Sequence, residues 1–303
     1  MTSSPLRPSP RVTPGSLRAW TLAARPKTLT GAAIPVITAS ALAWADGVFR
    51  PRPALVCLLF ACLMQVAANF INDLFDFLKG SDRADRLGPE RACAQGWLTP
   101  REMKTGIALV LAAAAACGLT LLTYGRPEVL VGIGVGCIVF AFLYTTLLSY
   151  CGLGDVLVVM FFGLVPVAGT YYVQSGTVNA SVWMLSLSCG ILIDSLLVVN
   201  NYRDRDTDRR DGKRTLIALL GEPFGRYLYL LTGLTAWALC ACFLAEGRTW
   251  AFVLPALYVP LHVLTWRRMA AIRSGRELNA ILGQTSRNML IFALLLSTGL
   301  VMG

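Results

Sequence analysis

A single histidine, His262, stands in the 303 residues, and only 15% of the chain is charged. One histidine among apolar neighbours supports neither a multi-histidine metal centre nor a Ser-His-Asp triad. With 55% hydrophobic residues and a mean hydropathy of +0.60, the low charge is incompatible with an ordinary water-exposed surface for a chain of this length. The nine cysteines (Cys57, Cys62, Cys93, Cys117, Cys137, Cys151, Cys189, Cys240 and Cys242) lack both metal-type paired spacing and the loop spacing of a disulfide scaffold. Most fall in apolar runs as small hydrophobes, and Cys93, in a polar loop, reads as structural.

What the chain does have is long apolar runs. Nine of them, near 28–46, 54–78, 104–123, 128–147, 155–173, 180–202, 225–245, 250–266 and 285–302, are long enough to cross a hydrocarbon core of about 30 Å as helices. The expected fold is therefore all-α and polytopic. With nine spans, 23 of the 27 Lys and Arg fall on one side, and Arg50, Arg52, Arg126 and Arg248 on the other. Basic residues accumulate in cytoplasmic loops, so the N-terminus is expected inside. The same dispersal accounts for the net charge of +10 without nucleic acid as a partner. Residues 1–17, rich in Ser, Pro and Arg, read as a disordered cytoplasmic tail rather than a cleaved signal peptide, and 18–303 as the nine-helix domain.

Ionisable groups in spanning helices cost about 2.5–3.5 kcal/mol each on insertion scales, so clusters of them need a reason. In the second span Gln65, Asn69, Asn72, Asp73 and Asp76 recur at helical spacing and share one face. This stripe runs into a loop carrying Lys79, Asp82, Arg83 and Arg91. The sixth span repeats it: Asn200, Asp204 and Asp208 are four apart, with Asn201 and Asp194 on nearly the same face, followed by Arg203 and Lys213. The Asn-x-x-x-Asp pairs 72/76 and 200/204 form a weak internal repeat on one side of the membrane, as expected of two clusters facing each other across a cavity.

Paired carboxylate clusters beside cations suit Mg²⁺ and a diphosphate, because hard Mg²⁺ shares oxygen ligands between carboxylates, water and phosphates. Two clusters could hold two ions. Asp76, Asp204 and Asp208 are the principal ligand and catalytic candidates, with Asp73 beside them. Asn72, Asn200 and Asn201 offer neutral oxygens or orient water. Lys79, Arg83, Arg91, Arg203 and Lys213 would neutralise a departing diphosphate. Lys27 is a further phosphate-contact candidate that reads equally as an interface anchor, like Arg25. Asn69, Tyr144, Tyr171 and Tyr172 are acceptor or pocket candidates, the tyrosines otherwise belonging to packing or an interfacial belt. Asp194 lies about two turns deeper, where a carboxylate must be paired, protonated or facing a cavity.

At these segments the chain resembles the UbiA superfamily of intramembrane aromatic prenyltransferases, and within it the 1,4-dihydroxy-2-naphthoate polyprenyltransferases of menaquinone synthesis. The matching stretches are Ala24-Arg25-Pro26-Lys27-Thr28, Asn72-Asp73-x-x-Asp76 with Lys79-Gly80-Ser81-Asp82 and Asp85-Arg86-x-Gly88-Pro89-x-Arg91, Gly169-Thr170-Tyr171-Tyr172-Val173-Gln174, Asn200-Asn201-x-Arg203-Asp204-x-x-x-Asp208-x-x-x-Gly212-Lys213-x-Thr215-Leu216, and Gln284-Thr285-Ser286-Arg287. The resemblance covers nearly the whole chain. It implies Mg²⁺-dependent transfer of a polyprenyl group from its diphosphate to 1,4-dihydroxy-2-naphthoate, with loss of CO₂, in a bacterial inner membrane with the active site toward the cytoplasm. Two departures stand out. Gly80 occupies the position of a third acid in the superfamily's first motif, for which Asp82 is expected to substitute as a metal ligand. Thr145, Thr146, Leu147 and Leu148 replace expected prolines, so the family's acceptor contacts are not carried over to that loop.

Other readings remain open on the sequence. Within the same fold the acceptor could be 4-hydroxybenzoate or homogentisate. Outside it, paired polar stripes also suit a secondary transporter or a non-catalytic isoprenoid-binding protein. Against a transporter, the polar groups gather at one end of their helices rather than at the midplane.

Overall fold

The computed structural model describes residues 12–80, 86–146 and 152–303, and no strand occurs among them. The helices are α1 (Leu17–Ala24), α2 (Leu29–Ala45), α3 (Pro51–Leu78), α4 (Pro100–Leu121), α5 (Pro127–Thr146), α6 (Gly154–Val159), α7 (Val165–Ser175), α8 (Ala180–Arg210), α9 (Leu216–Leu220), α10 (Glu222–Leu239), α11 (Trp250–Val253), α12 (Tyr258–Ile272) and α13 (Leu278–Met302). Proline opens α3, α4 and α5 at Pro51, Pro100 and Pro127, where its missing N–H would have no intrahelical partner anyway. α4 also carries a capping box in which Thr99 and Glu102 satisfy each other's backbone N–H. A wide turn, Met160–Leu164, joins α6 to α7 into one membrane-length segment.

Among the described residues, eight helices are long and apolar enough to cross a membrane. The ninth expected span, 250–266, falls on α11, a tight 3₁₀ turn at Leu254–Leu257 and α12. Pro255 and Pro260 interrupt this stretch and His262 lowers its apolarity. His262 itself is 1% exposed and satisfied: Nδ1 pairs with the Tyr258 hydroxyl at 2.8 Å and Nε2 with the Tyr229 carbonyl at 2.9 Å. It is a packing residue, as its apolar neighbourhood suggested.

Lipid is the only solvent that suits the outside. Val129, Val131, Val135, Val139 and Leu143 of α5 and Leu109 and Leu119 of α4 are exposed, while the backbone amides beyond the first turn of these spans can pair within their own helix. α8 lies at the centre, packed on α6, α7, α10, α13 and α2, whereas α3 pairs with α4 and α2 with α13. At 28 and 31 residues, α3 and α8 run about 42 and 46 Å, well beyond a hydrocarbon core of about 30 Å. Their polar C-terminal ends therefore emerge together at one end of the bundle.

The opposite end is sealed by a network the sequence did not suggest. Asp46 accepts from the Tyr171 hydroxyl at 2.5 Å and pairs with Arg248; Arg248 lies 3.3 Å from Glu246, which accepts from Ser181. Of the expected tail, residues 1–11 lie outside the described residues. The Gly15 N–H donates to the Trp97 carbonyl at 2.9 Å, and Ser16 caps α1.

Candidate active site

The two motifs face a common cavity of about 540 Å³, lined at its polar end by Asn69, Asn72, Tyr144 and Asn200 and further in by residues such as Phe60 and Leu130. Polar residues three and four apart share one face of a helix, and Asn72 of α3 and Asn200 of α8 both line this cavity.

The first motif is held from two directions. Asn69, 3% exposed, donates to the Ala24 carbonyl and the Thr28 hydroxyl, both at 2.9 Å, and Gln65 reaches the same hydroxyl at 3.3 Å. These bonds fix the segment between α1 and α2 against α3, bringing Arg25 to the cavity while Lys27 stays exposed. Asp73, 1% exposed, turns away from the metal-type cluster: Oδ2 accepts the Ala92 N–H at 2.8 Å and Oδ1 the Cys93 N–H at 2.9 Å. It clasps the loop after α3 to the helix. That clasp places Arg91, whose Nη2 donates to Asp76 Oδ2 at 2.7 Å.

The second motif remains helical to Arg210, so Asp204 and Asp208 project from α8 itself. Arg203, 4% exposed, grips both oxygens of Asp204 at 2.7 and 2.6 Å and donates through Nη1 to Asn279 at 2.7 Å. Asn279 in turn donates to the Leu87 carbonyl at 2.8 Å. Gly88 sits under the same guanidinium, where a Cβ would lie 3.1 Å from Arg203 Nη2. Arg203 thus ties the first motif's loop to α8 and α13. Arg205 acts differently, donating to the Tyr202 and Arg273 carbonyls at 2.7 and 2.8 Å.

Lys213 joins the halves. It lies 3.9 Å from Asp208, and with Arg86, Arg25 and Lys79 it also acts on Asp76. One carboxylate of the first motif therefore feels a lysine trailing the second. Tyr144 lies between the clusters, in the fields of Asp155, Asp194, Asp208 and Asp76.

Several expected residues lie elsewhere. Tyr171 and Tyr172 belong to the opposite end: Tyr171 bonds Asp46, and the Tyr172 hydroxyl accepts the Arg126 N–H at 3.1 Å. Asn201 is buried rather than on the cavity wall. Asp82 and Arg83 lie outside the described residues. Sequence reasoning did not single out Asn279, a lone residue in the first turn of α13 whose partner is almost two hundred positions away. Nor did it assign a role to Asp155 or single out Thr28.

The donor set suits Mg²⁺ in kind. Asp76, Asp204 and Asp208 with Asn72 and Asn200 offer oxygen throughout, and among the described residues no three acids form a closed cage. Hard Mg²⁺ held by one or two carboxylates and completed by substrate phosphate and water fits such an open arrangement.

The UbiA prenyltransferase family model matches residues 32–298. A 1,4-dihydroxy-2-naphthoate octaprenyltransferase of Haemophilus influenzae is 35% identical over 298 residues, covering 95% of this chain and 97% of the relative. Its Escherichia coli counterpart is 34% identical, covering 93% and 95%. A solved UbiA homolog from Archaeoglobus fulgidus, bound to DMAPP and Mg²⁺, superposes with a TM-score of 0.61 at 14% identity over 94% of this chain and 99% of its own. With a family model matched across most of its length and full-length relatives above 30% identity, the chain belongs to the UbiA prenyltransferase family.

Proposed function

We propose that this membrane enzyme transfers a polyprenyl group from polyprenyl diphosphate to 1,4-dihydroxy-2-naphthoate, releasing diphosphate and CO₂ and giving demethylmenaquinol, a step of menaquinone biosynthesis. The observation that carries the reading is the shared cavity: Asn72 and Asn200, one from each motif, line a mainly apolar space whose polar end lies beside Asp76, Asp204 and Asp208. The acceptor follows from the full-length relatives.

In this reading the apolar part of the cavity takes the first isoprene units and the polar end takes the diphosphate. Mg²⁺, in two ions, would offset the diphosphate charge when bound, with Asp76, Asp204 and Asp208 as ligands and Asp82 as a further one. Lys213, Arg86, Arg25 and Lys79 attract the anion and stabilise charge as the C1–O bond lengthens. Asn72 and Asn200 orient the phosphate oxygens or their water. The cavity holds the electron-rich ring against C1, which becomes allyl-cation-like, and keeps out water that would quench it. The new C–C bond forms as the C–O bond breaks, and the electrons of the carboxylate bond return to the ring as CO₂ departs.

The bias of basic residues supports a cytoplasmic N-terminus, a cytoplasmic active site and, with α11 and α12 as the ninth crossing, an odd number of passes. The relatives' organisms support a bacterial inner membrane.

The test incubates membranes containing the chain with Mg²⁺, a polyprenyl diphosphate and either 1,4-dihydroxy-2-naphthoate or 4-hydroxybenzoate, with products identified by mass. Prenylated, decarboxylated naphthol is expected. Product only with hydroxybenzoate would change the acceptor, and no product with any aromatic acceptor would overturn the enzyme assignment.

A further inference from the structure

Asp155 and Asp194 are two acids within membrane helices that the diphosphate chemistry does not use. Their meeting is dictated by glycine. A Cβ on Gly190 of α8 would lie 2.7 Å from the Val159 carbonyl oxygen, and one on Gly163 would lie 2.6 Å from the Gly190 Cα and closer still to the Ser186 carbonyl. Only residues without side chains permit this backbone contact.

The contact sets the register. Gly163 lies against Ser186 and Val159 against Gly190, so numbering falls along one helix as it rises along the other. One turn further in each direction, Asp155 comes opposite Asp194, and Gly154 beside them would place a Cβ 3.3 Å from Leu197. The electrostatics agree, since the charged group acting on Asp194 is Asp155. Asp194 is 5% exposed, and Oδ1 of each acid is buried without a hydrogen-bond partner.

Buried carboxyl oxygens without donors are costly, and a pair of them brought together is costlier, unless something supplies an O–H or N–H. The pair borders the cavity: Val158, Ile193 and Leu197, neighbours of the two acids on their helices, line it, as does Tyr144, which lies in the field of both. An anionic diphosphate is repelled here and drawn to the cationic end near Lys213. A phenol is neutral, carries its own donor and suits an apolar wall.

We infer that Asp155 and Asp194, with Tyr144 beside them, form a hydrogen-bond-accepting site for the acceptor's 4-hydroxyl. This rests on the reaction proposed above. The 4-hydroxyl is favoured over the 1-hydroxyl because the latter adjoins the acceptor's own carboxylate, which two acids would repel. The pair binds and orients the ring, and the diphosphate end is left unaffected.

The experiment compares the parent acceptor with 1-hydroxy-2-naphthoate, which lacks the 4-hydroxyl, on the full-length wild-type chain and on Asp194→Asn. Acceptor KM, prenyl diphosphate KM and competitive binding of the analogue are measured. Losing a hydrogen bond to a charged group corresponds to roughly 10- to 100-fold. Asp194→Asn is expected to raise the parent acceptor's KM by that factor, leave the prenyl diphosphate KM unchanged and bind the analogue as wild type does. Wild type should bind the analogue correspondingly more weakly than the parent. Equal wild-type affinity for the two, an unchanged acceptor KM, equal losses for both compounds, or a loss confined to prenyl diphosphate would each overturn the site. If Asp194→Asn does not accumulate in membranes, Asp155→Asn carries the same comparison, and the wild-type arm needs no variant. Wild-type chain that forms no prenylated product from 1,4-dihydroxy-2-naphthoate would overturn the reaction itself, whereas active wild type with an indifferent variant would overturn only this pair.

Discussion

Arg91 Nη2 donates to Asp76 Oδ2 at 2.7 Å, and the two side chains are only 7% and 15% exposed. Removing one partner of such a pair leaves an uncompensated charge in a poorly solvated place, at a cost of about 3–5 kcal/mol when fully buried. Asp76→Asn is therefore expected to abolish product formation and to lower the thermal midpoint as well. Arg91→Lys should keep the charge but lose the planar donor geometry, raising the prenyl diphosphate KM with a smaller loss of stability. Thermal melting in detergent and steady-state kinetics separate the two. Full activity of Asp76→Asn would remove Asp76 from the site.

Asp73 makes the opposite prediction. Its two oxygens hold the Ala92 and Cys93 amides, so Asp73→Ala removes two charge-assisted bonds worth about 1.5–3 kcal/mol each and frees the loop that carries Arg91. The expected outcome is a lower thermal midpoint with a raised prenyl diphosphate KM. A normal midpoint with kcat lost would instead make Asp73 a direct ligand.

Asp204 and Asp208 are expected to set the Mg²⁺ requirement. Chelation with EDTA should abolish turnover and added Mg²⁺ should restore it. Asp208→Asn should raise the Mg²⁺ concentration giving half-maximal rate by roughly 10- to 100-fold, since ligand losses act on metal affinity before anything else. A variant with an unchanged Mg²⁺ titration would place the metal elsewhere.

Tyr171→Phe tests the outer network. Loss of the hydroxyl that donates to Asp46 is expected to cost about 1–3 kcal/mol of stability while leaving both substrate KM values as in wild type. A selective rise in acceptor KM would return Tyr171 to the pocket.

Gly233→Ala probes the buried histidine. A methyl there would enter the His262 ring, and overpacking of this kind costs about 1–3 kcal/mol. The midpoint should fall with kcat unchanged, because Tyr258, His262 and Tyr229 pack the bundle rather than touch substrate.

Much of the site was written locally. The spacing of Asn72, Asp76, Asn200, Asp204 and Asp208 places them on helix faces whatever the rest of the chain does, because helical periodicity acts over a few residues. Apolar run length likewise led to nine expected crossings, of which eight have a helix long and apolar enough among the described residues, while 250–266, broken by Pro255, Pro260 and His262, does not. What such patterns do not specify is the partner. Asp73 and Asp76 lie on the same face of the helical wheel, about 60° apart, yet one clasps a loop and the other meets Arg91, because the path of residues 86–98 decides which carboxylate finds backbone amides.

Tyr171 and Tyr172 matched a motif, but their position along α7 put them at the end away from the diphosphate. Asn279 met Arg203, and Asp155 met Asp194, only through helix crossings set by backbone contact at Gly163 and Gly190. The sequence by itself determined the membrane helices, the polar faces and their common side, because each depends on residues close together in the chain. Tertiary structure alone decided which acids pair with arginine, which clasp a loop and which are left facing one another, because those outcomes depend on the angle and register at which distant helices pack.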